Sequence, residues 1–551
     1  MTVAEPPPLR WWGWGDRETR IPPGLAALLE ERFGTGAHDA MRPPPLDRVR
    51  LPEARLTTAL RRSLVEAVGG FHVRDDAETR VRHAAGRSYV DLLRLRSGTL
   101  DSAPDAVAYP GNAAEVLAVL RACTEHECAV VPFGGGTSVV GGVAPLRDGM
   151  RCVIAVDVER LDSASGVDAI GMTATLQAGM RGPHIEAVLN ARGMTLGHFP
   201  QSFEYATAGG FAATRSAGQA SSQYGRFDEM AAGLAMQSPS GELITDALPP
   251  AATGPSLLQA LLGSEGTLGV ITEVTVRVHP LPHVEHYAAW SLPDLAHGLD
   301  VMRQLAQDGG KPHVARLSDA DETRAAFAMS SGRATPVARR YLRVRGQPAP
   351  CLMVLGWEGD GDVVGQRVRV ASRVLRRAGA VGLGAAPARA WRRDRFQAPY
   401  LRDALLDRGV LVETLETVTR WSAVDAVRRA VRGALISSLS ERAQPLIGCH
   451  VSHIYRDGAS LYFTVLAEQR RGDAVEQWVA AKRAATDALL AQGAALSHHH
   501  GVGVDHSRWM PSAVGERGMA LLQALKRELD PTGVMNPGKL LVASEPELTT
   551  F

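Results

Sequence analysis

Three consecutive imidazoles, His498-His499-His500, run into Gly501-Val502-Gly503. Near neutral pH each ring can take or give a proton, which suits proton transfer at a substrate carbon. A surface tract and a metal site are the other readings. Metal binding is disfavoured because adjacent side chains diverge and Asp505 is the single carboxylate nearby. Cys123 and Cys128 lack the second pair that a metal clip needs, so no metal is expected there either. Glycine marks a different chemistry. Gly134-Gly135-Gly136 follows the apolar run Ala129 to Phe133, so a backbone without Cβ atoms can approach a phosphate closely, and Thr137 and Ser138 add hydroxyl donors. The spacing is neither a dinucleotide GxGxxG nor a P-loop GxxxxGK.

Two further segments of this kind follow in order: Gly209-Gly210-Phe211-Ala212-Ala213-Thr214-Arg215-Ser216-Ala217-Gly218, and Gly263-Ser264-Glu265-Gly266-Thr267-Leu268-Gly269-Val270-Ile271. Three separated loops rich in backbone donors suit a long cofactor whose pyrophosphate, ribityl chain and ring each need contacts. The ordered set resembles the FAD-binding fold of the vanillyl-alcohol-oxidase type. That resemblance implies contacts to FAD from Pro132-Phe133-Gly134-Gly135-Gly136-Thr137-Ser138, from Gln201-Ser202-Phe203-Glu204-Tyr205-Ala206-Thr207, from Thr214-Arg215-Ser216-Ala217 and from Glu265-Gly266-Thr267-Leu268-Gly269-Val270-Ile271. Many relatives tether the flavin through a histidine in the first loop. This chain has none there, so a non-covalent flavin is expected. His198 and Glu204 are placed near the ring.

Around the histidines the resemblance narrows to the alkyldihydroxyacetonephosphate synthase family. It is carried by Trp12-Gly13-Trp14-Gly15, Ala315-Arg316-Leu317-Ser318-Asp319, Pro399-Tyr400-Leu401-Arg402-Asp403, Gly458-Ala459-Ser460-Leu461-Tyr462-Phe463 and the triplet itself. It implies an acid-base role for Tyr462 with His498, His499 and His500, a phosphate contact for Arg402, and a substrate-site role for Arg316. The implied reaction exchanges the acyl group of 1-acyl-dihydroxyacetone phosphate for a long-chain fatty alcohol through a flavin N5 adduct. A homodimer and peripheral membrane contact come with it.

The alternative is an FAD-dependent 2-hydroxy-acid dehydrogenase or oxidase of the D-lactate or glycolate type. The ending Asn536-Pro537-Gly538-Lys539 and the amide at Gln201 favour that alternative. Arg456-Asp457-Gly458-Ala459 and the triplet favour the synthase. A flavin-bound carrier without turnover is the third reading.

Positioning these groups requires several elements. Composition is ordinary for a globular chain, with 551 residues, 45% hydrophobic and 22% charged, too long for one core. The expected class is α+β: a two-subdomain PCMH-type FAD-binding domain plus an α+β cap domain, with a helical N-terminal lead-in and a C-terminal return. The boundaries are 1–100 for the arm and lead-in, 101–282 for the FAD domain, 283–490 for the cap, and 491–551 for the segment carrying the triplet back onto the FAD domain. Helices are predicted over Leu60 to Val68, Asp362 to Arg377, Ala423 to Leu435 and Val514 to Leu529. Strands are predicted over Ala129 to Phe133, Val153 to Val156, Met172 to Ala178, Leu268 to Val278, Cys351 to Trp357 and Leu461 to Leu466. A net charge of +1 excludes a globally basic nucleic-acid binder. Five scattered cysteines suggest reduced thiols in a cytoplasmic protein. Met1 to Pro8 lacks a signal-peptide pattern, Thr549-Thr550-Phe551 is no peroxisomal address, and no apolar run reaches about 18 residues. The Trp11, Trp12 and Trp14 arm is expected to pack on the body.

Overall fold

The apolar strand Cys128–Phe133 ends a four-stranded sheet whose order is Val73–Arg74, Ala106–Ala108, Cys152–Asp157, Cys128–Phe133. The last three strands run parallel, as buried, near-continuous hydrophobic runs do. The helix Ala113–Glu125 precedes Cys128–Phe133; Asn112 caps it by accepting the Glu115 amide, and its Val116, Val119 and Leu120 pack on Val130 and Ile154. This is a computed structural model, and it describes residues 9–15, 19–34, 41–330, 334–470 and 472–541. Met1 to Pro8 and Thr549 to Phe551 lie outside the described residues.

A second, antiparallel sheet follows in the order Ala164–Asp168, Thr173–Gln177, Val270–Arg277, Ala231–Ser238, Gly241–Thr245. It shares one core with the first sheet, and the short helix Ala208–Thr214 lies against it. A third sheet has seven antiparallel strands, ordered Val381–Gly384, Val284–Leu292, Cys351–Gly359, Val314–Ser318, Leu446–Ile454, Gly458–Glu468, Val410–Arg420. Helices Leu295–Gln307, Gly361–Arg377, Val424–Leu439 and Ala474–Ala491 bury one of its faces through Val301, Leu375, Val431 and Ala485. The alternate side chains are left for a cavity shared with the first two sheets.

The chain ends by returning. Helix Met510–Leu529 is broken at Gly515, whose φ is +74°, and Val534 and Asn536 then bond Val130 as an added parallel bridge on the first sheet. The N-terminal arm packs on the body as expected: Trp14 wedges between Tyr205 and Tyr400, and Trp11 is buried. Among the described residues no helix is long and apolar enough to cross a membrane.

The cysteine expectation fails in one place. Cys128 and Cys152 are register partners on adjacent parallel strands, and they form a disulfide with Cα atoms 4.8 Å apart. Their separation of 24 residues hid the pairing, because sheet register rather than spacing brings them together. Cys123, Cys351 and Cys449 are buried thiols.

Candidate active site

A cavity of about 510 Å³ runs between the flavin-type loops and the free face of the seven-stranded sheet. One wall is the first glycine segment, Pro132 to Ser138. The backbone N–H groups of Gly134 through Val139 donate to no acceptor among the described residues. Six consecutive free amides beside a cavity form an anion-binding concavity, and they fit the pyrophosphate of a dinucleotide cofactor. The turn needs glycine: Gly136 has φ +63°, and a Cβ on Gly135 would sit 2.0 Å from the Tyr205 carbonyl.

Gln201, Ser202, Ala206, Thr207, Thr214, Ser216, Ala217, Glu265, Gly266, Gly269, Val270 and Ile271 line the same cavity. Six of the residues assigned to cofactor contact do not. Phe203 stacks on Phe396, Glu204 accepts from the Tyr400 hydroxyl, and Tyr205 packs on Trp14. Arg215 sits in the left-handed region at the helix end, and its guanidinium donates to the Leu262 and Gln259 carbonyls. Leu268 is core, and the Thr267 hydroxyl closes its own turn on Ser264. His198 is likewise set back from the wall, between Phe211 and Phe227, with a bond to Ser216; burial pushes it down to about 3.

The opposite wall is built from alternate residues of three neighbouring strands, as period-2 side chains dictate. Leu446, Gly448, His450 and Ser452 come from one strand, Tyr462, Thr464 and Leu466 from the next, and Val412 and Thr414 from the third. Register places His450 opposite Tyr462, and Tyr462 opposite Glu416, in a single row. Polar groups gather at that end. Four residues further, about 13 Å along the strand at 3.3 Å per residue, the wall is Leu466, Val412 and Leu446. Leu25, Ala325, Met329, Leu401 and Leu405 complete this apolar limb. The cavity therefore has a titratable head and a greasy tail.

The triplet forms the head. Glu416 receives the backbone amides of His498, His499 and His500 at 2.7, 3.1 and 2.9 Å, together with the Ser497 hydroxyl. From the other side Glu265 receives the Val502 and Gly503 amides at 2.6 and 2.7 Å. Two buried carboxylates, one from the cap sheet and one from the third glycine segment, thus clamp the loop. The donors and the imidazoles hold Glu416 well below the ordinary carboxylate range despite its burial. Burial pushes Glu265 up to about 7, opposed by its amide donors.

Burial pushes His498 and His500 down to about 3 and lowers His499, while Glu416 pulls each upward, so the three rings are neutral bases. Tyr462 lies 6.1 Å from the His499 ring and 5.7 Å from the His500 ring, and burial pushes its phenol up to about 12. It is a proton donor at neutral pH. His499 and His500 line the cavity, whereas His498 is tucked behind them, bonded to the Tyr455 hydroxyl at 2.6 Å. The expectation that adjacent imidazoles diverge fails: ligand atoms of His453, His498 and His499 lie within 4.8 Å of one another, because Glu416 draws the loop into a tight turn.

The two arginines differ. Arg402, on helix Ala398–Leu406, reaches the cavity with a buried Nε and no hydrogen bond to a described residue. Arg316 is already engaged, donating to Glu322 at 2.8 Å and to His450 Nε2 at 3.1 Å. Since His450 Nδ1 donates to the same Glu322 oxygen at 2.8 Å, the three form a closed ring. Against its burial, the Arg316 charge and the hydrogen bond from His450 hold Glu322 down at about 2. Glu416, Glu322, His450 and His453 are site residues that sequence reasoning missed; the pair of histidines three apart ahead of Tyr462 was the available signal.

Residues 104–246 match the family described as FAD binding domain, and residues 281–540 match FAD linked oxidases, C-terminal domain. The chain is 32% identical to alkyldihydroxyacetonephosphate synthase of Dictyostelium discoideum, over 85% of this chain and 78% of that protein. Against the enzyme of that name from Trypanosoma brucei brucei it is 32% identical, over 91% and 83%. A solved alkyldihydroxyacetonephosphate synthase structure superposes with TM-score 0.84 at 28% identity, covering 96% of this chain and 98% of that one.

Proposed function

The chain belongs to the alkyldihydroxyacetonephosphate synthase family, and on that premise we propose that it exchanges the acyl group on carbon 1 of acyl-dihydroxyacetone phosphate for a long-chain alcohol. FAD is its cofactor. The observation that carries the reading is Arg402, a guanidinium that reaches the cavity with a buried Nε and no hydrogen bond to a described residue. Such a group suits a phosphate dianion and has no counterpart need in a purely apolar substrate.

In this reading Arg402 anchors the phosphate. His499 or His500, neutral and facing the cavity, removes the proton from carbon 1, which the adjacent ketone acidifies. Tyr462, protonated, donates to the departing carboxylate and is reprotonated by the incoming alcohol, whose oxygen bonds carbon 1 as the histidine returns its proton to that carbon. The apolar limb at Leu446, Leu466 and Val412 takes the acyl and alkyl chains in turn and keeps water from the reacting carbon. FAD supplies an electron-deficient ring beside which negative charge on that carbon is stabilised. Glu416 and Glu265 position the histidine loop. Arg316, closed in its ring with Glu322 and His450, orients the wall behind Tyr462.

A non-covalent flavin is supported by the absence of histidine from Gly134 to Ser138. The functional division is read as 101–282 for flavin, 283–490 for the cap and 491–551 for the returning segment, after the 1–100 lead-in. A homodimer in the cytoplasm, touching a membrane peripherally, is the setting we propose.

The test gives the purified flavoprotein labelled hexadecanol with acyl-dihydroxyacetone phosphate and, separately and without oxygen, D-lactate or glycolate while flavin absorbance is followed. Ether product without lasting bleaching is expected. Bleaching by a hydroxy acid with no ether formed would overturn the reading in favour of a dehydrogenase.

A further inference from the structure

The two cavity-facing imidazoles are held differently behind the wall. His499 Nδ1 lies 2.9 Å from His498 Nδ1, and His498 Nε2 lies 2.6 Å from the Tyr455 hydroxyl, so three side chains form one hydrogen-bonded chain that ends at the cavity. His499 Nε2 has no partner among the described residues, which leaves it for the substrate. Neither ring nitrogen of His500 bonds a described residue, so nothing fixes its tautomer.

The chain is anchored at its far end. Tyr455 follows the strand Leu446–Ile454 at the start of a hairpin turn; its amide donates to the Gly458 carbonyl at 2.8 Å and its carbonyl accepts from the Trp421 indole at 3.1 Å. Arg226, locked to Asp228 by two bonds of 2.9 Å, donates to the His498 carbonyl at 3.2 Å. His498 is 3% exposed, so its ring nitrogens depend on His499 and Tyr455.

Two nitrogens that face each other share one hydrogen, so the chain admits two polarities. In one, Tyr455 donates to His498 Nε2, His498 Nδ1–H donates to His499, and the cavity meets an N–H. In the other, His499 Nδ1–H donates to His498 Nδ1, His498 Nε2–H donates to the Tyr455 oxygen, and the cavity meets the bare lone pair of His499 Nε2. Glu416 selects the second. Its Oε2 lies 3.6 Å from His499 Nδ1, where a carboxylate favours hydrogen on that nitrogen.

We propose that Tyr455 and His498 are positioning residues that hold His499 as the Nδ1–H tautomer, with Nε2 bare toward the cavity, which makes His499 rather than His500 the base. The tautomer stands on the geometry; its use against the carbon 1 proton rests on the acyl-exchange reading. When Nε2 takes that proton, the C–H electron pair stays on carbon and the imidazolium keeps its Nδ1–H bond to His498, so no partner has to turn. Return of the proton to carbon 1 restores the starting chain.

The test reads the resting holoprotein, its histidines labelled with heavy nitrogen, by NMR, where the two nitrogens of a neutral ring differ according to which bears hydrogen; His499→Gln assigns the ring. Hydrogen on His499 Nδ1 is expected. Tyr455→Phe removes the acceptor at the end of the chain. It should keep the flavin spectrum, move the His499 hydrogen to Nε2, and lower kcat of the exchange roughly tenfold with KM for the phosphate substrate unchanged. His498→Asn, whose side-chain oxygen accepts in place of Nδ1, should retain more of the rate than His498→Leu. Wild-type His499 with its hydrogen on Nε2 overturns the proposal. An unaltered tautomer in Tyr455→Phe does the same, as does an unaltered kcat once the tautomer has moved. So does a divalent metal ion retained by the purified holoprotein and lost with His498→Leu, since the neighbouring nitrogens of His453, His498 and His499 would then be co-ligands rather than donors and acceptors. The tautomer is read without turnover, so failure of the exchange reading and failure of the tautomer assignment are separately visible.

Discussion

Replacing Glu416 by glutamine preserves shape and removes one charge, which isolates what the carboxylate does for the histidine loop. The carboxylate lies 3.6 Å from His499 Nδ1 and 3.9 Å from His500 Nδ1. At an effective dielectric constant of about 20, a unit charge at that distance is worth about 4 to 5 kcal/mol, equivalent to about three pKa units. Glu416 raises the histidines against burial, so its loss lowers them further and leaves weaker bases. The glutamine NH2 would also face backbone N–H donors that the second carboxylate oxygen now satisfies, and each lost charge-assisted bond costs about 1.5 to 3 kcal/mol. Acyl exchange by the Glu416→Gln holoenzyme should fall about a hundredfold or more, the acid limb of its pH profile should move to lower pH, and Glu416→Asp should recover part of the rate. The stability sign is separate. A carboxylate whose folded pKa is depressed contributes stability above its unfolded value near 4.5 and loses it as pH falls toward the folded value. The variant should therefore show a flatter loss of stability below about pH 4.5. Wild-type exchange with an unmoved acid limb, in a variant that retains FAD, would refute the argument.

Arg402→Ala should raise KM for the phosphate substrate roughly ten- to hundredfold, the worth of a charge-assisted hydrogen bond, with the flavin spectrum intact; loss of FAD instead would place Arg402 in the cofactor site. Asn536→Ala removes donors to the Gly142 and Glu265 carbonyls at 3.0 and 2.6 Å, and should weaken FAD binding by about tenfold without changing the alcohol preference of the bound enzyme, as read by fluorescence titration of apoprotein. Replacing both Cys128 and Cys152 by serine opens a 24-residue loop and should lower stability by about 2 to 4 kcal/mol, seen as a lower thermal midpoint. An unchanged midpoint would show that the cross-link contributes nothing.

The glycine segments were legible because their function is local: free amides at Gly134 to Val139 follow from a strand running into glycines. The strands were legible for a similar reason. Cys128–Phe133 and Thr173–Gln177 lie within two residues of where apolar runs and alternation placed them. The head of the cavity was legible only in part. His499, His500 and Tyr462 could be named, but Glu416 and His450 flank Tyr462 through strand register, at separations of 46 and 12 residues that no spacing rule marks. Arg215, Tyr205 and Phe203 failed for the complementary reason. They sit inside the right segments, but which side chain of a loop faces a cofactor depends on a left-handed turn at Arg215 and on partners such as Trp14 and Phe396 elsewhere in the chain.

Two sequence features had pointed toward a hydroxy-acid enzyme, and their places in the fold change what they mean. Asn536 bonds the Val130, Gly142 and Glu265 carbonyls through its backbone and side-chain amides, and Lys539 donates to the Ala144 and Pro537 carbonyls. Every one of these acceptors is main chain: Val130 is in the strand that feeds the first glycine segment, Gly142 and Ala144 follow that segment within six residues, and Glu265 is in the third. The ending is thus a clasp that ties the two flavin loops together, a task that an FAD enzyme of either reaction class requires, so it carries no information about substrate. Gln201 donates its side-chain amide to the Arg395 carbonyl at 2.8 Å, which a carboxylate could not do. The substitution there follows from a local bond to the helix before Arg402. With both features absorbed by the flavin half and its border, the residues left to discriminate the reactions are those lining the cavity, and there Arg402, without a hydrogen bond to a described residue, the neutral His499 and His500 and the protonated Tyr462 fit an exchange that needs an anion anchor, a base and an acid.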